Sequence, residues 1–233
     1  MTAERVVLGV LLVALPIAFN VLFLALARTF EYPDILRHET DDILGRFTAG
    51  GRRLLLLWWA FMATAVALVP VAALLAAHLE PAGSGIATTS LALGVTAGLV
   101  QAMGLARWPF LVPVLAARHA GAASDAERAA VGIVFDAAHR YLGVAVGEHL
   151  GYLLTGAWTV VVGLGLAVAP GSLAILGWAG IALGLLLAAG SLEFVGRPGD
   201  RGWPFAEKLV PVAYLGWSAW LFAVGVAILA GAA

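Results

Sequence analysis

A glutamate and a histidine stand side by side within a long apolar run of this 233-residue chain. Glu148 and His149 lie seven and eight residues after Tyr141, where the run begins. At 1.5 Å per residue in a helix, they would lie about 10–12 Å inside a hydrocarbon layer. An ionised carboxylate there is costly unless it is paired or protonated. The pair therefore indicates either a ligand or proton site, or a buried polar network that only fixes helix packing.

Two sets of residues accompany this pair on the same helix. Tyr152 and Thr155 follow Glu148 at steps of four and three residues, and Tyr141 precedes it by seven, so all four are predicted to share one face. Small residues recur every fourth position and form two overlapping G-x-x-x-G units: Gly143, Gly147 and Gly151. Such a stripe predicts close packing against another helix.

Further polar residues lie near the same ends of other apolar runs. Gln101 is inside one run, Arg107 and Trp108 directly follow it, and Glu193 ends another. Arg107 is expected to be a snorkelling cation and Trp108 an interfacial anchor, because both types favour the membrane surface. The alternative is that these side chains turn inward and line one polar cavity.

The buried glutamate should have a hydrogen-bonding partner from another helix. Arg107 and Gln101 are the expected partners of Glu148, and Asn20 of the first run is a further polar residue within a span.

Metal, haem and catalytic sites are not predicted. The chain has no cysteine and five histidines, of which only His149 lies well inside a run. A haem held by two histidines needs both on facing helices at similar depth. No G-x-S-x-G elbow, Walker loop, H-E-x-x-H or dinucleotide fingerprint occurs. We therefore expect no cofactor, no metal and no enzymatic activity.

The elements that must position these residues are transmembrane helices. Hydrophobic residues make up 62% of the chain, charged residues 12%, and the mean hydropathy is +0.99. Each apolar run approaches or exceeds the ~20 residues that span a bilayer as a helix. The predicted spans are 6–27, 54–77, 86–106, 141–168, 172–192 and 209–230. They predict an all-α, polytopic membrane protein with a single six-helix domain over residues 1–233.

The cations are sorted by connection. Twelve of the thirteen Lys and Arg residues lie in or beside the first, third and fifth connections, and Arg5 is the other. The positive-inside rule places these connections in the cytoplasm and both termini outside. Cleavage of the first run as a signal peptide is disfavoured, because it would leave the arginine-rich first connection outside. The net charge of −1 does not favour nucleic-acid binding.

Short amphipathic helices are predicted on the cytoplasmic side. Apolar residues between Ile35 and Phe47 recur at helical spacing among charged ones, which is typical of an interfacial helix. Ser124 and Glu127 have the spacing of a capping box, which predicts a helix start there.

Three segments carry a family resemblance. Phe-Glu-Tyr-Pro-Asp-Ile-Leu-Arg at residues 30–37, Trp-Pro-Phe-Leu-Val-Pro at 108–113 and Gly-Glu-His-Leu-Gly-Tyr-Leu-Leu-Thr-Gly at 147–156 resemble motifs of the domain-of-unknown-function 4386 family of bacterial membrane proteins. The resemblance covers most of the chain. It implies a multi-span protein of the bacterial inner membrane and supplies no catalytic residues.

Three functions remain open from the sequence. The first is a non-enzymatic protein that binds or conducts a small solute or proton through a cytoplasm-facing pocket around Glu148. The second is a structural subunit that stabilises a membrane protein partner. The third is a redox or lipid-modifying enzyme. In each case the lipid bilayer is the surrounding partner.

The predicted orientation can be tested at Ser124. A Ser124→Cys variant carries the chain's only thiol. If the third connection is cytoplasmic, an impermeant thiol reagent added to intact cells leaves it unmodified and labels it after lysis. Labelling in intact cells would contradict the orientation.

Overall fold

The computed structural model describes residues 2–195 and 203–231, apart from the side chains at 204 and 207. Its helices are α1 (Ala3–Phe30), α2 (Thr40–His78), α3 (Ser84–Ala120), α4 (Asp125–Ala167), α5 (Ser172–Phe194) and α6 (Pro204–Leu229). Six helices are long and apolar enough to cross a membrane, and no strand occurs within these ranges. The predicted all-α, six-span fold is confirmed. Arg197 and Arg201, two of the cations assigned to the fifth connection, lie outside the described residues.

The helices close into a ring in chain order. Each helix packs against the next one, and α1 packs against α6 to complete the ring. Short connections make neighbouring helices antiparallel. One end of the ring therefore collects the C-terminal ends of α1, α3 and α5 and the N-terminal ends of α2, α4 and α6. We call this the arginine-rich end.

Two apolar clusters fill the ring unequally. The larger cluster draws on all six helices, and its members include Leu12, Leu75 and Trp158, each 0% exposed. The smaller cluster joins α1, α2, α3 and the start of α4 at the arginine-rich end. Beside the smaller cluster, the interior of the ring is open.

Two helices widen into π-helical turns at this end. The segments are Arg107–Leu111 in α3 and His139–Leu150 in α4. Pro109 has no backbone N–H to continue the α-helical ladder, which accounts for the first segment. Because a π-helix has more residues per turn, residues seven apart no longer share a face. The prediction that Tyr141 lies on the face of Glu148 is therefore wrong, and Tyr141 is 67% exposed.

The glycines of α4 lie directly against α3. A Cβ atom on Gly147 would lie 3.0 Å from the Cα of Gly104. A Cβ on Gly151 would lie 2.9 Å from Cγ of Gln101, and one on Gly143 would reach the Arg107 guanidinium. A side chain at position 147 would press against the α3 backbone, whereas one at 143 or 151 would displace the Arg107 or Gln101 side chain.

The amphipathic segment predicted between Ile35 and Phe47 is divided between a 3-10 helix at Asp34–Arg37 and the start of α2. Residues 40–50 begin α2, and Gly51, with φ 55° and ψ −150°, kinks the helix before it crosses the bundle. This positive φ suits glycine. Ile43, Leu44 and Phe47 are buried on the predicted apolar face.

The predicted start of α4 is confirmed. The Ser124 hydroxyl accepts from the Glu127 amide at 3.2 Å. The Glu127 carboxylate accepts from the amide of Ala123, one residue before the expected one.

The glycine contact predicts the effect of one substitution. Gly147→Leu should lower the free energy of unfolding by about 1–3 kcal/mol, because its side chain has no space against Gly104. Gly132→Leu, in the same helix, is the control, since a Cβ there meets nothing within 4 Å. Thermal unfolding in detergent measures both. Equal midpoints for the two variants would contradict the packing.

Candidate functional site

A cavity of about 430 Å³ lies between the helices at the arginine-rich end. This size is typical of a site for a small molecule. All six helices contribute to its wall: Asn20 from α1, Phe61 from α2, Gln101 from α3, Glu148 from α4, Phe194 from α5 and Tyr214 from α6. The first connection adds Tyr32 and Arg37, so the cavity extends to the end of the bundle.

Arg107 is a charged residue within this wall. Its side chain is 6% exposed. Nη1 donates to the carbonyl of Gly104 at 2.5 Å, Nη2 lies 3.4 Å from Nδ1 of His139, and Nε has no partner. In the described part of the chain, no carboxylate lies within 4 Å of the guanidinium. The expectation of a snorkelling cation is wrong, because the absence of a Cβ at Gly143 leaves room for the guanidinium inside the bundle.

Glu148 lines the same cavity without the expected hydrogen bond. The side chain is half-buried and interacts electrostatically with Arg107, but no hydrogen bond joins it to Arg107 or to Gln101. Gln101 instead donates to the hydroxyl of Thr155 at 2.9 Å and to the carbonyl of Ala97. Gln101 is thus engaged elsewhere, Arg107 makes no hydrogen bond to Glu148, and Glu148 lines the cavity.

Three tyrosines surround Glu148 from different elements. Tyr32, Tyr152 and Tyr214 line the cavity and interact electrostatically with Glu148. The rings of Tyr152 and Tyr214 are 5.0 Å apart, and the rings of Tyr32 and Phe61 are 6.2 Å apart. Burial, and then the charge of Glu148, raise the pKa of Tyr32, so its hydroxyl stays neutral. The cavity that Glu148 lines is therefore walled in part by tyrosine rings.

Two of these tyrosines were missed from the sequence. Tyr32 belongs to the segment at 30–37 that carries the family resemblance, and this was a signal for it. Tyr214 lies in an apolar span, and its hydroxyl alone was a weak signal. His139, which begins the π-helical segment of α4, also lines the cavity.

The other predicted site residues are divided between the cavity and its surroundings. Glu193 lines the cavity, whereas Thr155 is buried beside it. His149 faces α5, with Nδ1 2.9 Å from the carbonyl of Ser191. Trp108 is 0% exposed and stacks on Trp58 with ring centroids 4.4 Å apart. The expectation of an interfacial anchor at Trp108 is wrong, because its ring belongs to the smaller apolar cluster.

Polar contacts between helices lie next to the cavity and beyond it. Asn20 donates to the Ser218 hydroxyl at 3.0 Å and to the Pro16 carbonyl at 2.7 Å. Trp217 donates to the hydroxyl of Thr159 at 2.9 Å. These bonds tie α6 to α1 and to α4 next to the larger apolar cluster.

Within residues 2–195 and 203–231, no three His, Asp or Glu residues form a group that could hold a metal ion.

Six apolar helices around one polar cavity define a multi-span helical membrane protein. Residues 7–225 match the family model described as Domain of unknown function (DUF4386), and the chain belongs to this family. The comparisons with curated proteins and with solved structures found no match.

The position of Trp108 predicts a structural role. Trp108→Ala should lower the free energy of unfolding by about 3–5 kcal/mol, as deletion of a fully buried tryptophan typically does. Trp178→Ala is the matched control, because Trp178 is 67% exposed on α5. Thermal unfolding in detergent compares the two. If both variants unfold at the same temperature, the buried stack with Trp58 does not hold the arginine-rich end together.

Proposed function

We propose that this protein binds a small solute in the cavity at the arginine-rich end, with Glu148 as the principal binding group. One observation carries the proposal: Glu148 faces a cavity of about 430 Å³ without a hydrogen bond to the polar side chains around it. A glutamate retained only for packing would accept hydrogen bonds from neighbouring side chains, because an unpaired carboxylate inside a bundle is costly. A structural subunit would have no need of this cavity.

The composition of the wall favours binding over catalysis. Among the described residues that line the cavity there is no serine, threonine or lysine, and the chain has no cysteine. Hydroxyl nucleophiles of the serine and threonine type, thiols and lysine amines are thus missing from this described wall. Charged groups within an aromatic surround are typical of recognition.

The solute would enter from the cytoplasm of a bacterial cell. Arg37 and Pro33 are exposed and line the cavity, so they mark its outer edge. The sorting of cations favours a cytoplasmic location for this end, with the protein in the inner membrane and both termini outside. The larger apolar cluster fills the ring beyond the cavity. Transport of the solute or of a proton would therefore require this cluster to open, as in alternating access.

Access to the cavity can be measured with single cysteines. Val144→Cys places a thiol on the cavity wall, and Val162→Cys, in the same helix, places one in the packed core at 0% exposure. Small water-soluble methanethiosulfonates should modify Cys at 144 in detergent and leave Cys at 162 unmodified. Equal protection of both thiols would contradict an accessible cavity.

The role of Glu148 can be read from the charge preference of that reaction. A cationic methanethiosulfonate should modify Val144→Cys faster than an anionic one, since the carboxylate attracts cations. Adding Glu148→Gln should reduce this preference by about 10-fold. The unfolding temperature should change little, because the amide keeps the shape of the carboxylate. An unchanged preference in a folded Glu148→Gln protein would exclude a charged Glu148 at the site.

A further inference from the structure

We propose that the ligand is a zwitterion, with an ammonium group beside Glu148 and a phosphate or carboxylate group beside Arg107. This inference rests on the proposed binding function and adds the chemical class of the ligand. It follows from Arg107 and Glu148, which line one cavity together with Arg37 and Glu193 and do not come within 4 Å of each other.

The acidic group is assigned from the contacts of Arg107. A guanidinium has five N–H donors, and only Nη1 and Nη2 of Arg107 have partners, namely Gly104 and His139. Neither partner carries a carboxylate. Buried arginines are normally paired with an anion, and the planar fork of donors matches a carboxylate or a phosphate. An acidic group in the cavity would supply the missing counter-charge.

The ammonium group is assigned from the surroundings of Glu148. Its carboxylate accepts no hydrogen bond from the neighbouring helices, and Tyr32, Tyr152 and Tyr214 line the same cavity. Aromatic rings attract cations through their negative faces, and a carboxylate adds an opposite charge. A carboxylate among aromatic rings is thus well suited to an organic ammonium group.

A ligand with both charges satisfies the cavity better than a singly charged one. An anion at Arg107 would leave Glu148 without a partner and add repulsion, whereas a cation at Glu148 would do the same to Arg107. The remaining wall is apolar and includes Phe19, Phe23 and Leu215. This part of the wall could hold the apolar portion of the ligand.

Two sources offer this chemistry. One is a free zwitterion such as an amino acid or phosphoethanolamine, and the other is a lipid whose headgroup enters the cavity from the bilayer. The second source is compatible with Leu215, which lines the cavity on α6 and is 64% exposed. The two sources share one charge arrangement, so one set of probes can separate them.

The experiment measures ligand-induced shifts in the unfolding temperature of the purified full-length protein, titrated to give a Kd. The zwitterionic probes are phenylalanine, phosphoethanolamine and dihexanoyl phosphatidylethanolamine. The singly charged probes are dihexanoyl phosphatidylglycerol and hexylamine. At least one zwitterion should bind about 10-fold more tightly than either singly charged probe, since it satisfies both charges. Preference for the short-chain lipid over the two free zwitterions identifies the bilayer as the source, and the reverse identifies a soluble ligand.

Three kinds of variant assign the two ends. Glu148→Gln should weaken zwitterion binding at least 10-fold and leave phosphatidylglycerol binding unchanged or stronger. Arg107→Lys, which keeps the charge but removes the fork, should weaken binding of every probe with an acidic group and spare hexylamine. Glu80→Gln and Arg118→Gln, which are exposed outside the cavity wall, should leave all affinities unchanged. If Arg107→Lys does not fold, the contrast between the probes in Glu148→Gln decides the assignment.

The inference is overturned if no zwitterion binds more tightly than phosphatidylglycerol and hexylamine, or if Glu148→Gln weakens both classes equally. A wrong ligand class can be distinguished experimentally from a wrong binding function. Cysteine labelling at position 144 reports an accessible cavity with any ligand, so continued labelling without zwitterion binding would reject only the ligand class.

Discussion

The close approach of α3 and α4 is the contact on which the rest of the site depends. Gly104 meets Gly147 with no side chain between the backbones, and Gly143 and Gly151 leave room for Arg107 and Gln101. A polar group inside a membrane bundle must find its partners within the protein. The glycine contact provides one such partner by bringing Gln101 of α3 to Thr155 of α4. The space left at Gly143 accommodates the Arg107 guanidinium, which donates to the Gly104 carbonyl of its own helix.

The two ends of the bundle differ in how tightly their interiors are filled. Away from the arginine-rich end, a large apolar cluster fills the ring, and interior packing of this density resists opening. At the arginine-rich end, the stacked pair Trp58 and Trp108 stabilises only the side formed by α1 to α4. The other side retains the cavity that Glu148 and the three tyrosines line. A packed aromatic cluster thus lies next to the open space that Glu148 lines.

Membership in a family of unknown function leaves the chemistry of the cavity as the guide to function. Two opposite charges normally form an ion pair when a bundle brings them together, because each lowers the cost of burying the other. Here Arg107 and Glu148 line one cavity and remain apart, each held on its own helix. Their separation favours a ligand that interacts with both, and the aromatic wall favours a ligand with an apolar portion. The zwitterionic class thus specifies the ligand of the solute-binding function that we propose.

The sequence by itself determined the six helices, because the length of an apolar run and the internal bonding of a helix depend on local composition alone. It also identified Glu148, Gln101 and Arg107, since polar residues are conspicuous within apolar spans. Only the tertiary structure decided their partners. The π-helical turns at Arg107–Leu111 and His139–Leu150 rotate side chains away from the positions that α-helical spacing predicts. Tyr141 is therefore exposed. Trp108 is buried in the smaller apolar cluster, and Tyr32 and Tyr214 come from distant parts of the chain to line the same cavity as Glu148. Such contacts depend on helix rotation and ring closure, which no local pattern encodes.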